Sequence, residues 1–258
     1  MDRRELLTGL AASALGASVA QGATVSSSVY LELKTWHLHT THENQGKRVA
    51  DYLEHGLEPA LHRAGAALIG AFGNVIGEEG PYYVTLAQYD SLAKMQSVLQ
   101  ALEHDSTYQS AVEKLSAGPG LPFVRVGSSL LRSFGPRGGT HRAKGESSHI
   151  FEMRTYESQS FTSVKRKIWM FEHGEIDIFE KLGMKPVFFG ERIVGPKMPC
   201  ITYMLTFDNL GDREKLWHEF GSSAGWKKLS SNPQLKDAEI VANISNAILR
   251  PLPFSQIR

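Results

Sequence analysis

Leu31-Glu32-Leu33-Lys34-Thr35-Trp36 returns, class for class, as Phe151-Glu152-Met153-Arg154-Thr155-Tyr156. An apolar residue, a glutamate, an apolar residue, a cation, a threonine and an aromatic ring recur in that order 120 positions later. Three more blocks follow. Glu54-His55-Gly56 returns as Glu172-His173-Gly174, the run 81–86 returns as 199–204, and Tyr89-Asp90-Ser91-Leu92 returns as Phe207-Asp208-Asn209-Leu210, each 118 positions on. Four matched blocks in one order mark a duplicated unit. The copies span 29–134 and 149–252, and the stretch 135–148 between them, rich in glycine and basic residues, reads as a linker.

Outward from the repeated hexapeptide, each copy reads as strand, helix, strand, strand, helix, strand. In the first copy the leading strand covers 30–37, and a helix over 46–63 carries Val49, Tyr52, Leu53, Leu57, Ala60 and Leu61 at helical period. Strands follow at 66–72 and 82–89, with Gly77-Glu78-Glu79-Gly80 as the turn between them. A helical region over 92–115 and a strand at 128–134 complete the unit. The second copy repeats the order at 150–156, 161–182, 187–193, 200–207, 212–230 and 238–249. This is a ferredoxin-like βαββαβ plan. Its sheet covers one face with helices and leaves the other bare, and a second copy in the same chain supplies the missing cover. The expectation is an α+β fold in which two ferredoxin-like repeats form an intrachain pseudo-dimeric barrel. A cavity is expected between the sheets, or between sheet and helices.

Side-chain alternation on the leading strand puts Leu31, Leu33 and Thr35 on one face and Glu32, Lys34 and Trp36 on the other. Glu152, Arg154 and Tyr156 form the matching set in the second copy. With the apolar set assigned to the helices, the two triads face the inter-sheet space as ligand-binding candidates: a carboxylate, a cation and a ring from each copy. Charge pairing within each triad would serve a barrel interface equally well. His55 and His173 recur at one position, opposite the apolar stripe of their helix, which places each on the exposed face or at the mouth of a pocket. They join the binding candidates. Glu152, His173 and Tyr156 are the catalytic candidates.

Charge is balanced at 28 basic and 27 acidic residues, which offers no electrostatic footprint for nucleic acid. The single cysteine, Cys200, excludes an intrachain disulfide framework and a cysteine-pair zinc site, and no metal site is predicted. At the N-terminus Arg3 and Arg4 precede an apolar, small-residue run from Leu6 to Ala20, so 1–23 reads as a twin-arginine-like signal for export to the periplasm or beyond. That run is too short for a membrane span.

The Glu-(Leu/Met)-(Lys/Arg)-Thr-(Trp/Tyr) strand, the Glu-His-Gly helix and the tandem layout together resemble the NIPSNAP family, within the dimeric α+β barrel superfamily. The resemblance covers both copies, and the second fits better through Arg154 and Tyr156. It implies the barrel fold without a fixed activity, since the superfamily holds cofactor-free monooxygenases, haem proteins of the chlorite dismutase type, isomerases and binding modules. The expected function is binding of a small, partly apolar molecule. The alternatives are an enzyme of the oxygenase or isomerase type and a haem protein with His55 or His173 as axial ligand. The chain is expected to act as a monomeric pseudo-dimer or to form a homodimer.

Overall fold

The computed structural model describes residues 28–135 and 149–258. The signal-like segment and nearly all of the linker lie outside them. The first repeat runs β1 (Tyr30–His37), α1 (Gln45–Tyr52), a π-turn (Leu53–Leu57), α2 (Glu58–Arg63), β2 (Ala67–Ile76), β3 (Tyr82–Tyr89), α3 (Leu92–His104), α4 (Ser106–Ser116) and β4 (Arg125–Ser133). The second runs β5 (Ile150–Glu157), α5 (Phe161–Met170), a π-turn (Phe171–Glu175), α6 (Ile176–Lys181), β6 (Lys185–Val194), β7 (Cys200–Phe207), α7 (Leu210–Ser222), α8 (Ala224–Ser230), a 3-10 turn (Pro233–Leu235), α9 (Asp237–Ile240) and β8 (Asn243–Pro251). Side-chain oxygens start several helices: Ser91 accepts from Lys94 N, Ser160 from Ser163 N and Asn209 from Asp212 N. Each such cap satisfies an end donor and is worth about 1 kcal/mol.

All eight strands close into one antiparallel barrel in the order β1-β3-β2-β8-β5-β7-β6-β4. Each repeat contributes four adjacent strands, and the seams are β2 with β8 and β4 with β6. Closure leaves no free sheet edge among the described residues. Two predicted elements differ in detail. Each long first helix is interrupted by a π-turn holding the Glu-His-Gly motif, where Glu58 N bonds Leu53 O and Ile176 N bonds Phe171 O, five residues back. The final strand starts at Asn243 because Asp237–Ile240 closes into a short helix first.

The middle of the barrel interior is an apolar core, and one end is polar, where Arg192 donates to Thr202 Oγ1 at 3.0 Å and the Thr155 and Thr202 hydroxyls meet at 3.0 Å. Leu31, Leu33, Phe72, Leu86, Leu131, Phe151, Phe188, Met204 and Leu249 fill the middle from both repeats, with the Phe72 and Phe151 rings 5.0 Å apart. This reverses the expected assignment of faces: the apolar set of β1 and β5 points into the barrel, and both charged triads point at the helices. The reason is desolvation. The apolar middle of the closed barrel offers a buried carboxylate no donors, whereas the helices can supply them. Each repeat accordingly has its own sheet–helix core, one built around Trp36, Tyr52 and Leu61 and the other around Tyr156, Phe171 and Tyr203. Among the described residues no helix is long and apolar enough to cross a membrane.

Candidate functional site

In the second repeat the triad lies at the centre of an ion network. Glu152 is fully buried. Its Oε1 accepts from Arg154 Nη1 (2.9 Å), Arg213 Nη2 (2.6 Å) and Asn246 Nδ2 (3.1 Å). Its Oε2 accepts from Arg213 Nε (3.0 Å) and Trp217 Nε1 (2.7 Å). Burial alone would push this carboxyl up; the Arg213 bonds and the Arg154 charge outweigh it and hold Glu152 below its ordinary value. Arg154 is itself sandwiched, its guanidinium carbon 4.4 Å from the Trp217 ring centre and 5.4 Å from that of Tyr156. The Tyr203 hydroxyl donates to Tyr156 at 2.8 Å, and burial pushes both phenols up. Behind them Lys167, with no exposed surface, pairs with Glu175 Oε2 at 3.0 Å and Asp237 Oδ1 at 3.2 Å. Burial would lower this lysine, but the two carboxylates outweigh it and hold it above its ordinary value.

The first repeat places the same backbone positions around open space. A cavity of about 150 Å³ is lined by Glu32, Lys34, Trp36, Thr85 and Tyr89, with Leu57, Leu61, Leu99 and Leu102 on the helix side. Glu32 is buried and has three donors among the described residues, each at 3.1 Å: Lys34 Nζ, the Tyr89 hydroxyl and the Ser128 hydroxyl. Lys34 keeps 29% of its side chain exposed and so reaches the mouth. Trp36 Nε1 donates to Thr85 Oγ1 at 3.3 Å, and the Tyr52 and Tyr108 hydroxyls meet at 2.9 Å. Burial pushes the Tyr89 phenol well up, and neighbouring Glu32 adds to the shift, so it stays protonated and donates.

The two triads therefore do not share one cavity, because each is buried under the helices of its own repeat. His55 and His173 lie outside both layers, exposed at the π-turns, with Nδ1 held by the carbonyls of Asp51 (3.2 Å) and Trp169 (2.9 Å). The His173 ring stacks on Trp169 at 4.3 Å. Among the described residues no histidine lines the enclosed cavity, and its volume matches that of an engineered cavity that takes one benzene. A four-pyrrole haem does not fit it. Also among the described residues, no three His, Cys, Asp or Glu side chains converge as metal ligands. The sequence reading missed Arg213, Asn246, Lys167, Glu175, Tyr89 and Ser128. The repeat spacing held a signal for some of them, since charged Lys167, Glu175 and Arg213 stand where the first copy has Val49, Leu57 and Met95.

Residues 151–256 match the NIPSNAP family model. No curated protein matches the sequence. Among solved structures, a candidate monooxygenase from Lactobacillus acidophilus superposes with a TM-score of 0.55 at 11% identity, over 87% of this chain and 94% of that one. Chlorite dismutase from Candidatus Nitrospira defluvii gives 0.51 at 11% identity, over 88% and 92%. A NIPSNAP family protein of unknown function from Agrobacterium tumefaciens is 21% identical over 44% of this chain and 97% of its own, with a TM-score of 0.38. At these identities the two longer likenesses show the dimeric α+β barrel fold alone.

Proposed function

We propose that the protein binds a small, partly apolar molecule and that the first repeat holds it; the match of 151–256 to the NIPSNAP family model and the barrel fold support this reading. The observation that carries this reading is the 150 Å³ cavity with one buried carboxylate, one lysine at the mouth and an indole on the wall. The space suits a single ring bearing one polar substituent. The leucines and Trp36 would take the ring, and Glu32 and Lys34 would hold the substituent as acceptor and donor. Arg3 and Arg4 ahead of an apolar run support export by a twin-arginine route, so the ligand would be met in the periplasm or outside the cell.

The test is a calorimetric and thermal-shift screen of phenol, benzoate, catechol and indole against the full chain. Saturable binding that disappears in Thr85→Tyr, which copies Tyr203 into the cavity, supports the reading. Binding unaffected by that substitution would move the ligand elsewhere. One observation favours a second, catalytic reading: Glu32 has three donors where Glu152 has five, which leaves it freer to take a proton from a bound ring. In that case Glu32→Gln keeps the ligand and loses turnover.

A further inference from the structure

In the second repeat Trp217 on α7 packs against the shared glutamate. Its indole Nε1 donates to Glu152 Oε2 at 2.7 Å, and the Arg154 guanidinium carbon stands 4.4 Å from its ring centre. Both partners belong to the strand motif that the two repeats share. In the first repeat the same positions are Glu32 and Lys34, and the residue 118 positions before Trp217 is Leu99 on α3. Leu99 lines the enclosed cavity together with Glu32 and Lys34. The ring is gone, but the carboxylate and the cation that hold it in the second repeat have been kept.

The hydrogen bonds of Glu32 define the group that fits there. A carboxylate has roughly four lone-pair sites. Among the described residues Oε1 meets Lys34 Nζ and the Ser128 hydroxyl, whereas Oε2 accepts from the Tyr89 hydroxyl alone. Tyr89, on β3, lines the cavity; Ser128, on β4, approaches from the other side of β1. The oxygen with a site to spare is therefore the one turned toward the cavity. Tyr89 spends its one hydrogen on that oxygen, so this corner calls for a further donor. A carboxylate guest would meet a buried negative charge, and an ammonium would meet Lys34. A neutral ring bearing O–H or N–H meets neither penalty. It can donate to Glu32 and offer its face to Lys34, as Trp217 does to Glu152 and Arg154.

We propose that the cavity of the first repeat selects a neutral aromatic hydrogen-bond donor, a phenol or an indole-type N–H, and rejects aromatic carboxylates. The donor would lie on Glu32 Oε2, and the ring would take the place that Trp217 fills in the second repeat. The inference rests on the reading of this cavity as a binding site and adds its chemical selectivity.

The probes are phenol and indole, their shape-matched counterparts without a donor (toluene and indene), and benzoate, titrated calorimetrically into the full chain. Phenol or indole should saturate one site. Its donor-free counterpart should be at least about tenfold weaker, the worth of one hydrogen bond to a charged acceptor. The tighter of phenol and indole identifies the donor as hydroxyl or N–H. Benzoate should be at least about tenfold weaker than phenol, and Glu32→Gln should remove that difference by removing the charge. Leu99→Trp, which copies Trp217, should abolish phenol and indole binding with the unliganded melting temperature no lower than the parent's. Toluene and indene as tight as phenol and indole overturn the inference, as does benzoate as tight as phenol. A benzoate penalty that survives in Glu32→Gln, or full phenol affinity in a folded Leu99→Trp, also overturns it. Where such guests bind and are lost in Thr85→Tyr, the cavity reading stands and only its selectivity falls. Absence of binding by all five probes overturns both. If Leu99→Trp folds poorly, the five-probe comparison in the parent chain decides by itself.

Discussion

The two sheet–helix layers share a backbone plan and differ in what fills it. In the second repeat Tyr203, Trp217 and Phe179 occupy the space, and Lys167, Glu175 and Arg213 knit it together with ion pairs. In the first, the residues at the same repeat positions are Thr85, Leu99, Leu61, Val49, Leu57 and Met95. Three large rings have given way to one threonine and two leucines, and the result is a cavity of about 150 Å³. The shared glutamate shows the same divergence. Glu152 is locked by five donors, whereas Glu32, with three, has capacity left for a ligand. One copy thus fills the space between sheet and helices with rings and ion pairs, and the other leaves part of it open.

The contrast is broken most directly at the shared glutamate. Glu152→Ala strands Arg154 and Arg213 under the helices and should cost about 3–5 kcal/mol in urea unfolding. Glu32→Ala leaves only a part-exposed lysine and two hydroxyls behind and should cost about 1–2 kcal/mol. Equal losses would mean that the two layers are energetically alike.

Next in size is the buried pair. Lys167→Val leaves Glu175 uncompensated and should lose about 3 kcal/mol. The double variant Lys167→Val/Glu175→Leu, which copies Val49 and Leu57, should recover most of that loss. A double variant as unstable as the single one would show that the pair contributes net stability of its own.

Acid sensitivity sharpens the contrast further. Glu152 has a folded value depressed below its ordinary 4.5, so its contribution is fully present above that pH and fades as pH falls through the depressed value. Glu152→Gln should flatten this part of the acid limb of stability against pH. An unchanged acid limb would remove Glu152 as its source. The smallest expected effect is at Thr85→Tyr, within about 2 kcal/mol of the parent by thermal melting, because the new ring enters space already open. A larger loss would indicate that the cavity walls cannot move to accept it.

Much of this was legible in the residues. The returning hexapeptide and its downstream echoes gave the duplication, the order of elements and the barrel, because a repeated pattern of strand and helix periods survives in sequence even where identities drift. The exposure of His55 and His173 followed from helical period alone. The faces of β1 and β5 were not legible. Alternation at Glu32, Lys34 and Trp36 says that the two sides of the strand differ, but not which side is sealed. The partners Arg213, Tyr89 and Ser128 lie 57 to 96 residues from the glutamates they hold, on other elements, and no local pattern ties them together.

Two copies, their α+β plan and the chemistry of the repeated positions can be read from the residues alone. Which face of β1 and β5 lines the apolar lumen, and that the charged triads lie under the helices, emerge only once the barrel closes. The cavity between sheet and helices in the first copy likewise emerges only from the folded chain. The physical reason is that burial is a property of the closed chain. Desolvation falls on whichever face the barrel seals, and a cavity is the difference in volume between side chains brought together from distant segments.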